Sequence, residues 1–195
     1  YDFDAASCLA LIRKAGLEKE IKLNIEVNHA TLSGHNFEHE IAYAISNNVL
    51  GSIDVNRGDT LLGWDTDQFP NNPADLLMAF YHIFSNGGFD QGGFNFDAKI
   101  RRQSIDPEDL FHAHIGGMDV CAKTLLATEK LINDNILPKH IQERYSKWNN
   151  ELGKRIHDKK TNLEELHQTV IDQNINPEPK SGQQELLENL LNKYL

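Results

Sequence analysis

Three short segments of the sequence are rich in apolar residues, and each ends in an acid. They cover residues 21–26, 50–54 and 93–97 and end at Glu26, Asp54 and Asp97. Helical patterns separate them, and a repeated strand–helix order is typical of a parallel α/β sheet or barrel. In such folds, functional sites lie at the carboxyl ends of the strands. The pattern therefore predicts that three acids meet at one end of a sheet.

Two further motifs bring possible metal ligands close to these acids. His29 follows Glu26 by three residues, and Asp65 and Asp67 stand two apart in the sequence. In an extended segment Asp65 and Asp67 point to the same side, so both can reach one ion. His29 would face away from Glu26 in a continued strand. The two can share an ion only if the backbone turns after Glu26.

Crowded carboxylates of this kind indicate a site for divalent cations. A carboxylate is costly to bury without an opposite charge, and a divalent cation offsets the repulsion within a group of them. Oxygen ligands with a single imidazole suit Mg²⁺, Mn²⁺ or Co²⁺ better than Zn²⁺. A lone acid at a strand end is more often a helix cap, but three in register with further ligands favour a metal site. Its predicted ligands are Glu26, His29, Asp54, Asp65, Asp67 and Asp97.

Other histidines carry a weaker signal. His35 and His39 lie one turn apart on a predicted helix and could bind a metal. The favoured interpretation is that both are surface or helix-flank residues. His112 and His114 lie on opposite sides of a helix start, which disfavours a metal shared between them.

Helical periodicity and helix-breaking residues predict the other elements. Asp4 is a plausible N-cap of the first helix, and Gly16 is its predicted stop. Glycines and a proline predict a long loop over residues 55–69, and long loops are more often functional than merely connecting. In the first part of the chain, helices are predicted over residues 4–15, 36–46, 73–85 and 107–133. After Pro138 they are predicted over residues 138–146, 148–157, 162–172 and 182–194.

The sequence is predicted to form two regions, an α/β part over residues 1–137 and a helical arm over residues 138–195. A proline-rich linker precedes the last helix, whose leucines recur at helical spacing. We expect this arm to pack on another subunit of a homo-oligomer, with docking on its own α/β part as the alternative. Because helical pattern begins almost directly after Tyr1, we also expect the natural chain to continue before it.

The composition of the chain limits the kinds of molecule that it is expected to bind. The chain has 195 residues and a formal net charge of −10, which argues against a nucleic-acid partner because phosphates favour Lys and Arg. No apolar run is long enough to span a bilayer, and no signal-peptide pattern is present, so no membrane partner is expected. Cys8 and Cys121 fall in helical patterns and are predicted to be buried free thiols, which fits a reducing cytoplasm.

Four ordered motifs resemble bacterial D-xylose isomerases of the longer class. The segment from Asn24 to His35 resembles their strand-six segment, and that from Gly51 to Asp59 resembles strand seven. Their metal loop and strand eight are matched by Gly63 to Pro70 and by Asn95 to Lys99 with Arg101 and Arg102. The tail from Arg144 to Leu195 also resembles the C-terminal arm of that family, so the resemblance extends over nearly the whole chain.

The resemblance implies strands six to eight of a (β/α)₈ TIM barrel, followed by an extended helical arm. The family interconverts D-xylose and D-xylulose, and often D-glucose and D-fructose, with two divalent cations (Mg²⁺, Mn²⁺ or Co²⁺) and no nicotinamide. By this match Glu26 bridges both metals, and the second metal polarises the substrate oxygens during a 1,2-hydride shift within the sugar. The first metal is assigned to Glu26, Asp54 and Asp97, and the second to Glu26, His29, Asp65 and Asp67. The expected assembly is a dimer or tetramer.

One departure from the family leaves an alternative open. The family's fifth-strand Glu, a neighbouring Lys, the His–Asp pair for ring opening and the aromatic walls of the sugar pocket have no counterpart in this sequence, so no catalytic acid or base is assigned. The 195 residues could therefore be an inactive metal-binding or assembly fragment. A third interpretation, a metal-dependent nuclease barrel, predicts a basic cleft and more histidine ligands, and the acidic charge weighs against it.

Overall fold

The computed structural model describes residues 3–195. The chain divides into two compact units, one reaching to Asn133 and including Asn192–Leu195, the other spanning Asp134–Leu191. Over residues 3–195, no helix combines the length and apolar composition needed to cross a membrane.

A parallel three-stranded sheet lies at the centre of the first unit. Its strands are β1 (Leu23–Glu26), β2 (Leu50–Asp54) and β5 (Phe94–Asn95), in the order β1-β2-β5. In register, Glu26 is opposite Asp54, and Asp54 is opposite Asn95. The first two strands therefore end together at an acid, as the sequence predicts. The fold is mixed α/β with small sheets.

Two strands are shorter than predicted. β1 begins at Leu23 rather than Ile21, because a turn over residues 17–20 follows the end of the first helix. β5 ends at Asn95 rather than Asp97, so Asp97 lies just beyond the sheet. Backbone pairing with β2 stops after the N–H of Val55 donates to the carbonyl of Asn95.

The predicted loop over residues 55–69 is wrong, because most of it forms an antiparallel hairpin. Its strands are β3 (Arg57–Asp59) and β4 (Trp64–Gln68). The Asp59 carboxylate accepts hydrogen bonds from the N–H groups of Leu61 and Leu62, and Gly63 takes a positive φ of 67°. Gly63 therefore serves a tight turn rather than an irregular loop.

Helices on the outer face of the sheet complete the core. They are α1 (Ala5–Ala15), α3 (Phe37–Ser46), α4 (Ala74–Ser85) and α5 (Asp109–Asp134). The Asp4 side chain caps α1, and Gly16 ends it in the left-handed conformation, as predicted. Leu9, Ile41, Ile53, Phe80 and Ile83 are buried in the shared core.

Neither cysteine is in a disulfide, as expected, but only Cys121 is buried, whereas Cys8 is half-buried. Burial raises the pKa of the Cys121 thiol to about 11, so it stays protonated and unreactive near neutral pH.

The second unit is helical and has little interior. It contains α6 (Ile136–Arg144), α7 (Glu151–His157), α8 (Leu163–Asp172) and α9 (Gln184–Leu191). The predicted helix over residues 148–157 is divided, because a 3₁₀ turn over Ser146–Asn149 precedes α7 and Asn150 caps it. Over residues 134–191, Gly153 is the one residue classed as buried. The apolar side chains of this unit therefore remain largely exposed on the chain.

Candidate metal centre

The chain changes from strand to helix directly after Glu26. Glu26 is the last residue of β1 and the N-cap position of a short helix, α2 (Val27–Leu32). The sequence did not predict α2, although it required a turn at this place. Val27 and Ala30 are buried in the core and hold α2 against the sheet. The turn brings Nε2 of His29 to 3.4 Å from Oε2 of Glu26.

Glu26 belongs to two groups of possible ligands. One group is Glu26, Asp54 and Asp97, and the other is Glu26, His29 and Asp65. In each group, one ligand atom per residue lies within 4.8 Å of the others, a spacing that a single cation can span. Glu26 is 9% exposed, so a largely buried carboxylate lies between the two groups.

The hairpin supplies the two remaining carboxylates. Oδ2 of Asp65 lies 3.2 Å from Nε2 of His29, and the Asp65 carboxyl also hydrogen-bonds to that of Asp67. Asp67 has a positive φ of 41° at the end of β4. Its carbonyl accepts from the N–H of Lys99, which follows β5. Lys99 donates from Nζ to Oδ2 of Asp67 at 2.6 Å. All six predicted residues are therefore gathered at one end of the sheet.

The pKa values at this site reflect its burial and its crowded acids. Burial raises the pKa of Glu26, with smaller upward contributions from the charges of Asp65 and Asp97. A hydrogen bond to Asp67 raises the pKa of Asp65, and the same bond together with Lys99 lowers the pKa of Asp67. Opposite pKa shifts at two adjacent carboxyl groups are expected where acids are crowded.

Three asparagines orient the acids, and the sequence analysis did not identify them. Nδ2 of Asn56 donates to Oε1 of Glu26 at 2.6 Å, and Nδ2 of Asn24 donates to Oδ2 of Asp54 at 2.6 Å. Asn28 donates from its side chain to Oδ1 of Asp65. Asn28 and Asn56 each stand two residues after an acid that ends a strand, a repeat that could have marked them. Such partners fix the orientation of ligating carboxylates.

These residues fit a divalent cation of the hard type. The donors are five carboxylates and one imidazole, without a thiolate, and the acids already have neutral amide partners that hold their orientation. Glu26, Asp54 and Asp97 could hold one ion, and Glu26, His29, Asp65 and Asp67 a second one. Oxygen-rich sets of this kind suit Mg²⁺ or Mn²⁺.

Gly58→Ala is expected to destabilise the folded protein by about 1–3 kcal/mol through overpacking. A Cβ at Gly58 would lie 1.8 Å from Oδ1 of Asn28, and 3.0 Å from the carbonyl oxygen of Trp64. Asn28 would have to move and release Asp65. Urea unfolding measures the change in a longer protein that contains this chain as its C-terminal part. Gly93→Ala is the matched control, because a Cβ there meets open space. Equal stability of both variants would contradict the expectation.

Binding of Mn²⁺ is expected to release protons from Glu26 and Asp65 at pH values just above the range in which carboxylic acids ordinarily titrate. Burial raises the pKa of Glu26, and the Asp67 hydrogen bond raises that of Asp65, so both hold protons to higher pH. In that window the folded metal-free protein binds more protons at these groups than the unfolded one, so their contribution to stability falls as pH rises. Cation binding needs both groups ionised, so affinity rises with pH. Calorimetry in two buffers of different ionisation enthalpy measures the released protons, and identical heats would contradict the expectation.

Sequence comparison gives the family. The chain is 57% identical to a xylose isomerase of Histophilus somni strain 2336, over all of this chain and 44% of that relative. The chain belongs to the xylose isomerase family. A xylose isomerase of Haemophilus influenzae strain PittEE is 55% identical, and one of Agrobacterium fabrum strain C58 is 52% identical. Both alignments cover the whole chain, with 44% of the first relative and 45% of the second. The resemblance found in the motifs is confirmed.

The chain matches the C-terminal part of xylose isomerases. Residues 141–195 match the family described as the XylA2 C-terminal domain. The chain spans less than half the length of the curated relatives it matches.

Proposed function

We propose that this chain supplies the metal-binding part of an aldose–ketose isomerase that interconverts D-xylose and D-xylulose, and also D-glucose and D-fructose. The observation that carries the proposal is the position of Glu26, which joins two groups of ligands in a chain that is 57% identical to a xylose isomerase. A carboxylate shared by two ligand groups is what a two-metal site requires. The hydride moves within the sugar, so no nicotinamide is needed.

The six residues divide between two cations, each Mg²⁺, Mn²⁺ or Co²⁺. Glu26, Asp54 and Asp97 hold the first, and Glu26 with His29, Asp65 and Asp67 holds the second. When bound, the cations supply Lewis-acid polarisation of the sugar oxygens for the 1,2-hydride shift. Asn56 and Asn24 keep the carboxylates of Glu26 and Asp54 aimed, and Lys99 balances the charge of Asp67.

The parallel sheet supports a place for this chain in a larger barrel. We propose that β1, β2 and β5 are strands six, seven and eight of a (β/α)₈ barrel, with residues 1–137 forming its C-terminal part and residues 138–195 an arm. Acids at the carboxyl ends of neighbouring parallel strands are where such barrels carry their sites. The sugar would enter at that end, and thiols outside any disulfide suit a cytoplasmic enzyme.

A chimera tests the isomerase proposal directly. In it, the C-terminal 44% of the Histophilus somni protein is replaced by this chain, and the product is called here the chimeric isomerase. With Mn²⁺ present, it is expected to convert D-xylose to D-xylulose, and Asp65→Asn is expected to remove most of that activity. Asp59→Asn is the matched control, because Asp59 lies in the hairpin turn. A folded chimera without turnover would contradict the proposal.

The exposed second unit supports a homo-oligomer, which we propose is a dimer or tetramer. Leu163 is 85% exposed, and every leucine of α9 is at least partly exposed, so the arm has apolar surface to bury on another subunit.

Deletion of residues 176–195 from the chimeric isomerase is expected to lower its oligomer size, as measured by light scattering. The deletion removes α9, whose leucines have no core of their own to fill. A paired experiment changes Leu187 and Leu190 to Ser, with Glu185 and Asn189 changed to Ser as the control. An unchanged mass in both the deletion and the leucine variant would count against the arm as an assembly element.

A further inference from the structure

A separate group of possible ligands, apart from the two groups that contain Glu26, lies beside the start of α3. It consists of His35, His39 and Glu40, and one ligand atom of each lies within 4.8 Å of the others. The group has two imidazoles, whereas the groups at Glu26 have one between them. We propose that it is a separate site for a nitrogen-preferring divalent cation such as Cu²⁺, Ni²⁺ or Zn²⁺.

The two imidazoles are already brought together by local structure. Asn36 caps α3 by accepting from the N–H of His39, which fixes the bend between His35 and the first turn of the helix. The two rings stack with their centroids 4.6 Å apart and their planes within 16°. Because an imidazole binds an ion in its own ring plane, one ring has to rotate out of the stack for both to share an ion, while the Asn36 cap keeps their backbones in place.

A buried carboxylate supplies the third ligand. Glu40 is 3% exposed, and its Oε2 accepts from the N–H of Ala5 at 2.6 Å, while its Oε1 lies 3.1 Å from Nδ1 of His39. Ligand atoms around a tetrahedral Zn²⁺ stand roughly 3.3 Å apart, given bonds of about 2.0–2.1 Å. An ion would therefore take the place of the proton between His39 and Glu40 with little movement of either.

Asp4, the N-cap residue of α1, completes the arrangement. Its Oδ2 lies 3.2 Å from Nε2 of His35, so Nδ1 of His35 is the nitrogen left for an ion. Ligating histidines almost always have a carboxylate or carbonyl on their second ring nitrogen, which sets the tautomer and the ring orientation. Asp4 is thus a positioning residue, and the site connects the start of α1 with the start of α3.

The cation preference of this site differs from that of the centre at Glu26. Imidazole ligands favour Cu²⁺, Ni²⁺ and Zn²⁺, whereas carboxylates and water suit Mg²⁺ and Mn²⁺. A cavity of about 110 Å³ is lined by Glu26 and His29 on one side and by Asp4 and Glu40 on the other. The inference does not depend on the isomerase proposal.

Cu²⁺ titration with excess Mg²⁺ tests the site. The chimeric isomerase is saturated with Mg²⁺ to fill the carboxylate centre, and Cu²⁺ is added while the electron paramagnetic resonance spectrum is recorded. At less than one equivalent of Cu²⁺, we expect a spectrum whose nitrogen splitting corresponds to two imidazoles. A spectrum with one nitrogen or none would overturn the proposal without any variant, because His29 alone can supply only one.

Variants assign that signal to named residues. His39→Gln is expected to weaken Cu²⁺ binding at least about tenfold, the lower end of the loss seen even for partners outside the metal shell. His82→Gln is the matched control, since His82 has a single carboxylate partner, Glu38, at 3.3 Å. Asp4→Asn should leave two nitrogens in the spectrum but weaken binding. Undiminished binding in His39→Gln, or an equal loss in His82→Gln, would overturn the assignment.

Discussion

Glu26→Gln is expected to lower kcat for D-xylose isomerisation by the chimeric isomerase by at least about a thousandfold, since Lewis-acid stabilisation is worth several kcal/mol and each 1.36 kcal/mol is tenfold in rate. Glu26 contributes to both ligand groups, so one substitution weakens two cation sites. Each other ligand of the six belongs to one proposed site. The effect of Glu26→Gln should therefore exceed that of Asp97→Asn.

The design of this experiment separates metal loss from misfolding. Glu38→Gln is the matched control, because Glu38 is a more exposed acid whose partner is His82. Atomic absorption on the purified variants gives the bound Mn²⁺ directly. A Glu26→Gln variant that keeps its Mn²⁺ and its kcat would show that Glu26 is not a shared ligand. Loss of Mn²⁺ together with retained circular dichroism is the expected result.

The 195-residue chain expressed alone is expected to give no measurable D-xylulose and to unfold without a sharp transition. Among the described residues, β1 pairs only with β2, and β5 pairs only with β2, so both edges of the sheet lack a partner. Unpaired edge strands expose backbone N–H and C=O groups and invite association with other chains, which opposes a single stable fold. The six ligands lie at the end of that sheet, and their geometry depends on it.

Complementation decides between an incomplete fold and an inert sequence. The N-terminal remainder of the Histophilus somni protein is added as a separate polypeptide, and thermal unfolding and D-xylulose formation are recorded with Mn²⁺. Recovery of a cooperative transition with turnover is expected. Turnover by the chain alone near that of the chimeric isomerase would contradict the expectation. A cooperative complex with no turnover would favour the assembly-fragment alternative.

The parts of this fold that the sequence predicted are those governed by local signals. Asp4 and Gly16 bound α1 as expected, because a cap and a left-handed stop act within a few residues of the chain. β1 and β2 each end at the predicted acid, since alternation and apolar runs specify a strand. The six candidate ligands were found because residue type and strand-end position are both visible in a sequence.

The parts that were missed depend on contacts between distant residues. α2 has six residues, too few to show helical periodicity, and it is held by the burial of Val27 and Ala30. Glycines are common in loops and in hairpins, so the sequence predicts only a loop over residues 55–69. The pairing of Arg57 with Gln68 is what distinguishes the hairpin from a loop. The partners of Asn56 could not be assigned from the sequence alone, because Glu26 and Asp97 are 30 and 41 residues away.

The change from β1 to α2 at Glu26 limits how this segment can vary in length. Successive residues of an α-helix are rotated by about 100° around its axis, so inserting one residue between Glu26 and His29 would turn the imidazole away from the carboxylate. A deletion would do the same in the opposite direction. Segments elsewhere, such as the linker before α9, can lengthen without moving a ligand. Among related proteins, the spacing of three between this acid and this histidine should therefore tolerate no insertion or deletion, even where the residues between them differ.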